Sequence, residues 1–281
     1  MPQKRIAAIH DISGIGKCSL TVALPVVSTA GIECCVIPTA VLSTHTGGFH
    51  GYHFRDLTDS ILPIAEHWKK EGFHFDAIYS GYLGSTRQVD VLLECIGLLR
   101  ARDTLVVIDP VMADNGRLYQ SFSPDFPFKM RELCGKADII TPNITEACLM
   151  LGEAYQPPPY TREYINNLLL RLSEICGGCV VLTGVSLSKY EQGAAAYSKK
   201  EQQSYFASSR RLEGMYHGTG DIFASVFVSS MVLGRGVEKS LKTAVDFTCR
   251  AIENSVADRN RNWYGVNFES VLPELNSMLR E

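Results

Sequence analysis

Short apolar runs rich in β-branched residues recur along the chain at residues 6–9, 34–37, 77–79, 105–108, 139–141 and 180–182. Between most of them lie segments with helical spacing, at 19–30, 89–99, 163–175 and 237–255. Continuous apolar strands belong to sheets buried on both faces, and strands alternating with helices connect in parallel. The pattern predicts an α/β fold: a doubly wound, mostly parallel central sheet with helices on both faces. A late hairpin is expected from 193–197 and 203–207. The stretch 39–54, rich in Thr, Gly, His and aromatics, is expected to form a small β flap over the strand ends. Gln156-Pro-Pro-Pro159 reads as a surface loop because the α/β pattern continues beyond it. With no internal repeat and no low-complexity linker, residues 1–281 are expected to form one domain.

Ligands of such sheets bind beyond the carboxyl ends of the strands. Polar residues collect at those ends: Asp11-Ile-Ser13 after the first strand, Asp109-Pro110 after the fourth, Thr141-Pro-Asn143 after the fifth and Thr183-Gly184 after the sixth. The bulk composition narrows the partners. A net charge of −3 and a pI near 6.2 give no basic field for nucleic acid. No run reaches the roughly 18 apolar residues of a membrane span. The opening Met-Pro-Gln-Lys-Arg-Ile turns apolar only briefly, too short for a secretory signal. A cytoplasmic protein is the expectation. Nine cysteines are scattered without repeated spacing. Cys176-Gly-Gly-Cys179 has the CxxC spacing but lacks a second pair and runs into a strand, so small hydrophobes are expected there.

The segment Tyr216-His217-Gly218-Thr219-Gly220-Asp221 runs straight into the apolar stretch 222–233. Glycines let backbone N–H groups face a ligand, and the helix N-terminus adds partial positive charge, which makes an anion site. A carboxylate beside an anion site suits removal of a proton from a hydroxyl that attacks phosphate; capping of the helix by Asp221 is the simpler alternative. Gly14-Ile-Gly16-Lys17-Cys18-Ser19 fails the P-loop pattern, with Asp at position 11 and Cys at 18, and fails the dinucleotide pattern with Ser at 19. It reads as a tight strand-to-helix turn. His45, His50 and His53 lack metal-ligand spacing and are surface groups or the lining of a small-molecule pocket. Asn143-Ile-Thr-Glu146 is either a helix-capping arrangement or, facing the strand ends, a holder of hydrated Mg²⁺. Asp109 and Asp114 place two carboxylates around a strand end, which fits metal and phosphate chemistry better than glycosidase pairing. Arg210 and Arg211 read as solvated surface.

Taken in order, these motifs resemble the ribokinase superfamily, and within it the vitamin B6 (pyridoxal) kinases. The matching residues are Ser13, Ser43-Thr-His45-Thr46-Gly47, Gly81-Tyr82, Asp109-Pro-Val-Met-Ala-Asp114, Thr141-Pro-Asn-Ile-Thr-Glu146, Thr183 and Gly218-Thr-Gly-Asp221. The resemblance implies ATP-dependent phosphorylation of the 5′-hydroxymethyl group of a B6 vitamer. It makes Asp221 the general base, and the amides of Gly218, Thr219 and Gly220 the anion hole. Glu146 and Asn143 would organise Mg²⁺ and phosphate, with Asp109 and Asp114 lining that region and Asp109 beside Glu146 as metal residue. Thr183 would lie near the nucleotide phosphates. Ser13, Thr46, Tyr82 and His45 would contact the vitamer, with Val41 a neighbour, and residues 207–215 would lie near the adenine. A homodimer, Mg²⁺ and a K⁺-type ion are also implied.

The opening His10-Asp-Ile-Ser-Gly-Ile-Gly departs from the commoner form of this strand end, and Asp11 there would either favour a cationic substituent or cap the next helix. A hydroxymethylpyrimidine kinase of thiamine synthesis is the alternative, since its substrate is also a flat heteroaromatic bearing a primary alcohol. A non-catalytic vitamin or nucleotide sensor is the second alternative, opposed by the presence of both Asp221 and Glu146. A sugar kinase is disfavoured, because no Gly-Gly-rich sugar-binding opening is present.

Overall fold

A nine-stranded sheet in the order β11-β10-β9-β8-β5-β4-β1-β2-β3 carries the chain. The computed structural model describes residues 3–280; Met1, Pro2 and Glu281, which the one-domain expectation and the reading of the N-terminus include, lie outside the described residues. The first half runs β1 (Arg5–Ile15), α1 (Leu20–Thr29), β2 (Glu33–Thr44), β3 (Phe54–Asp56), α2 (Thr58–Lys70), β4 (Ala77–Ser80), α3 (Thr86–Leu99) and β5 (Leu105–Ile108). A two-stranded hairpin, β6 (Ala113–Asp114) and β7 (Arg117–Leu118), precedes α4 (Phe126–Cys134), β8 (Ile139–Ile140), α5 (Ile144–Leu151) and α6 (Arg162–Ser173). The chain closes with β9 (Cys179–Val185), β10 (Glu191–Ser198), β11 (Gln203–Arg210), α7 (Thr219–Val232), α8 (Val237–Ala257) and α9 (Leu272–Met278).

The central strands pair in parallel, while β3, β10 and β11 join antiparallel. Ile6 to Ile9 are fully buried, as a strand covered on both faces requires. Ala7, Ile9, Ile78 and Ile108 pack on one side beneath α2 to α6; Ile6, Tyr79, Val107 and Val181 pack on the other beneath α1, α7, α8 and α9. The chain moves from β1 to β2 through α1, then to the far side of β1 and outward from β4 to β9. Right-handed crossovers that run in opposite directions place their helices on opposite faces. The reversal at β1 is the switch point where such sheets bind ligands. α7 is apolar nearly all round because α1 and α8 enclose it against the sheet; full burial of Phe227 alone contributes about 2–3 kcal/mol.

Two expectations change in detail. Gly14 does not turn the chain: β1 continues to Ile15, paired with Thr44, so the turn comes at Gly16–Ser19. The flap is a prolongation of β1 and β2 beyond the sheet, closed by β3, with residues 45–53 as its tip. Cys176 and Cys179 are buried, and burial pushes both thiols up, Cys176 to about 11. Among the described residues, no helix is long and apolar enough to cross a membrane.

Candidate active site

Gly218 starts the site with a left-handed backbone, φ 81°, that a side chain would strain. It is the N-cap of α7, and no side chain caps that helix. The first-turn amides of a helix have no intrahelical acceptor, so Gly218, Thr219 and Gly220 leave N–H groups at its positive end. Asp221 lies in that turn. The surrounding protein raises its carboxyl to about 7, mainly by burial; the Ser19 N–H opposes the rise and the charge of Asp11 adds to it.

Across the cavity, Asp109 follows β5 and is buried. Burial and the charges of Glu146 and Asp221 hold its carboxyl well above the usual range, with the nearby Thr141 hydroxyl opposing the rise. Glu146 is buried too. Its Oε1 accepts from the N–H of Met112 (3.0 Å) and Ala113 (3.4 Å), and its Oε2 from that of Asn143 (2.9 Å). The Asn143 side chain accepts from Glu146 N at 3.0 Å, which completes a capping box at the start of α5. The capping alternative is therefore realised. The same bonds tie α5 to the segment after β5, and Asn143 Nδ2 adds a bond to the Ala113 carbonyl at 2.8 Å. Burial raises the Glu146 carboxyl and these N–H groups oppose the rise.

Asp109, Asp114, Asn143, Glu146, Thr183, Gly218, Thr219, Gly220 and Asp221 all line one cavity of about 570 Å³. Its far end is walled by Ser209 to Leu212 and by Val245, Cys249 and Ile252 of α8. The two arginines expected as plain surface are part of that wall, and Arg210 pairs with Glu253 at 2.9 Å. Among the described residues no lysine or arginine forms an ion pair with Asp109, Glu146 or Asp221. Asp109 and Glu146 face the helix N-terminus that carries Asp221, without a countercharge. Among the described residues no group of three or more acidic, histidine or cysteine side chains is close enough to hold a metal ion, so an ion here would depend on phosphate and water to complete its shell, as Mg²⁺ does.

The four residues expected on the vitamer do not line this cavity. Thr46 is exposed on the flap and Tyr82 is half-buried beside Phe122. The Ser13 hydroxyl donates to Asp11 at 2.9 Å, inside the fold. His45 is buried with both ring nitrogens engaged: Gly47 N donates to Nδ1 (3.0 Å), so Nε2 carries the proton and donates to the Tyr264 carbonyl (2.8 Å). Asp11 lies near Tyr82 and Asp221, and its charge adds to the rise of both groups. Asp11 itself is buried, and each of its oxygens accepts a hydroxyl bond, from Ser13 and from Ser19.

The sequence reading passed over two parts of the site. Asn115-Gly116, both at positive φ, form the turn of the β6–β7 hairpin at the cavity rim; Asn-Gly is a strong hairpin signal. The C-terminal loop also reaches the flap and the 16–19 turn. Trp263 lies over Gly48 and against Phe49, with ring centroids 4.6 Å apart, and Lys17 Nζ bonds Asn267 and Glu269. Two adjacent aromatics after the polar run 258–262 were the available signal.

Residues 23–263 match the phosphomethylpyrimidine kinase family. The chain belongs to that family. Its fold is that of a Bacteroides thetaiotaomicron protein, provisionally assigned as a phosphomethylpyrimidine kinase and crystallised with pyridoxal: TM-score 0.92, 39% identity, covering 98% of this chain and 96% of that one. The pyridoxal kinase of Lactobacillus plantarum matches with TM-score 0.89 and 30% identity over 98% and 97% of the two chains. Among curated sequences, the thiamine biosynthetic bifunctional enzyme TH1 of Arabidopsis thaliana is 28% identical over 91% of this chain, which spans 47% of that protein. The chain is thus a ribokinase-like protein of the pyridoxal kinase type, a phosphotransferase whose acceptor is an alcohol group.

Proposed function

We propose that the protein transfers the γ-phosphoryl group of ATP to the 5′-hydroxymethyl group of a B6 vitamer. The observation that carries the reading is the placement of Asp221. A carboxyl raised to about 7 stands in the first turn of an uncapped helix, opposite the buried acids at the strand ends. A base with that pKa ionises near neutral pH and takes the proton of an attacking hydroxyl. The amides of Gly218 to Gly220 face the charge that develops on the transferred group, and such transfer depends mainly on positioning and electrostatics. Asp109, with Glu146 acting through bound water because its oxygens already accept three N–H bonds, would hold Mg²⁺. The ion would neutralise charge on the nucleotide phosphates. The end of the cavity beside Leu212, Val245 and Ile252 takes the base of the nucleotide.

The pyridoxal bound to the Bacteroides protein and the pyridoxal kinase identity of the Lactobacillus protein support a B6 vitamer. The family description and the thiamine enzyme support hydroxymethylpyrimidine, which carries the same alcohol on a flat ring. The test is ATP- and Mg²⁺-dependent turnover of pyridoxal, pyridoxine, pyridoxamine and hydroxymethylpyrimidine side by side, with products identified by mass. Faster turnover of a B6 vitamer is expected. Turnover mainly of the pyrimidine moves the protein to the second reading on the same mechanism, and nucleotide binding without turnover of any of them rejects both.

A further inference from the structure

Asp11 is a buried carboxylate whose oxygens are both occupied: Oδ1 accepts from Ser19 Oγ at 2.5 Å and Oδ2 from Ser13 Oγ at 2.9 Å. Among the described residues it has no lysine or arginine partner. An acid taken out of water without a cation is costly, and an apolar residue would fill the same place more cheaply. The two hydroxyl groups hold it, and it in turn holds them.

What it holds is strained. Gly16, Lys17 and Ser19 have φ of 146°, 52° and 51°, and Ser19 combines this with ψ of −130°. Non-glycine residues keep such conformations only where their surroundings over-determine them, and they collect at functional sites. Ser19 is fixed on two sides: its side chain bonds Asp11, and its carbonyl starts α1 by accepting from Val22 and Ala23. The Ser19 amide also favours the ionised form of Asp221. Two residues earlier, the Lys17 carbonyl packs directly on the α carbon of Gly218. The strained turn therefore packs directly on the anion loop, three residues before the base.

We propose that Asp11 is a positioning residue for phosphoryl transfer: by anchoring the Ser19 hydroxyl it keeps the 16–19 turn in its positive-φ form, which seats Lys17 against Gly218 at the start of the turn that carries Asp221. The inference rests on the reading of Asp221 as base. It adds a residue that acts through Ser19 and Lys17 instead of on the reacting atoms.

The test uses the full chain and whichever alcohol the unaltered enzyme phosphorylates. Asp11→Ala is expected to lower kcat on the order of tenfold or more, as small misplacements of a catalytic group do, with the KM for ATP unchanged. Asp11→Asn, which keeps an acceptor for Ser19, should retain more of kcat. The double variant Asp11→Ala/Ser19→Gly should recover much of the loss, because glycine adopts the required backbone without an anchor. A purely structural role predicts no such recovery. A folded Asp11→Ala enzyme with unchanged kcat, or a double variant no faster than Asp11→Ala, overturns the proposal. Should Asp11→Ala not fold, Ser19→Ala removes the same bond from the other side, and unchanged kcat there also overturns it. Asp221→Ala assayed in parallel separates the two readings: retained turnover there removes the base assignment, whereas the Asp11 result alone decides the positioning role.

Discussion

The carbonyl oxygen of Lys17 occupies the space in which a side chain on Gly218 would begin. The first strand-to-helix turn and the anion loop, some 200 residues apart in sequence, are thus in van der Waals contact through backbone alone. Gly218→Ala would meet this carbonyl and also strain a left-handed φ of 81°. The expected outcome is a loss of about 1–3 kcal/mol of stability, read by denaturant unfolding, together with a fall in kcat.

Asp221→Asn is expected to lower kcat by about 10²–10⁴-fold, the usual contribution of a general base. It should also change stability with pH. The folded carboxyl lies at about 7 against 3.8 for an ordinary aspartate, so the folded state binds the proton more tightly. The stability this gives is fully present below about 4 and is lost as pH rises through 7. Asparagine carries no charge to bury. The variant should therefore be the more stable protein at pH 8, by on the order of 1–3 kcal/mol given that the carboxylate opens on the cavity, and the advantage should vanish near pH 4. Unfolding midpoints measured across that range check the sign.

Glu146→Gln replaces an acceptor oxygen by an NH₂ that must face backbone donors. Either Asn143 N–H or those of Met112 and Ala113 lose their partner. About 1–3 kcal/mol of stability should be lost. If Glu146 also orders Mg²⁺, the Mg²⁺ concentration for half-maximal activity should rise; an unchanged titration in a destabilised protein leaves it with the capping role alone.

Trp263→Ala removes the ring that lies over Gly48 and against Phe49. The flap tip then loses its contact with the C-terminal loop. On the reading proposed above, the KM for the alcohol should rise while the KM for ATP changes little, since neither Trp263 nor the flap tip lines the cavity assigned to the nucleotide. Steady-state kinetics with each substrate varied in turn distinguish this from a general loss of folded enzyme.

The order and type of the elements were legible because burial on both faces leaves strands such as 6–9 and 105–108 with no polar position, and the helices between them keep their period. The gathering of the nine residues around one cavity was legible for a related reason: most sit near a strand end or helix start, and chain order brings those ends to one edge. The partners of Ser13 and His45 were not legible: their hydrogen bonds go to Asp11, Gly47 and Tyr264. No local pattern records such partners, because they come from segments that meet only after folding.

The sequence alone determined the layered α/β architecture and the identity of the groups at its ligand edge, because both follow from periodicity and from chemistry carried by single segments. Tertiary structure decided what those groups do to one another. It decided that Glu146 spends its oxygens on backbone N–H groups, that Asp221 is raised by the protein around it, and that Asp11 faces inward to two hydroxyls. The same decision tied the C-terminal loop to the flap. These depend on distances between residues far apart in sequence, and free energies of burial and hydrogen bonding are set by those distances.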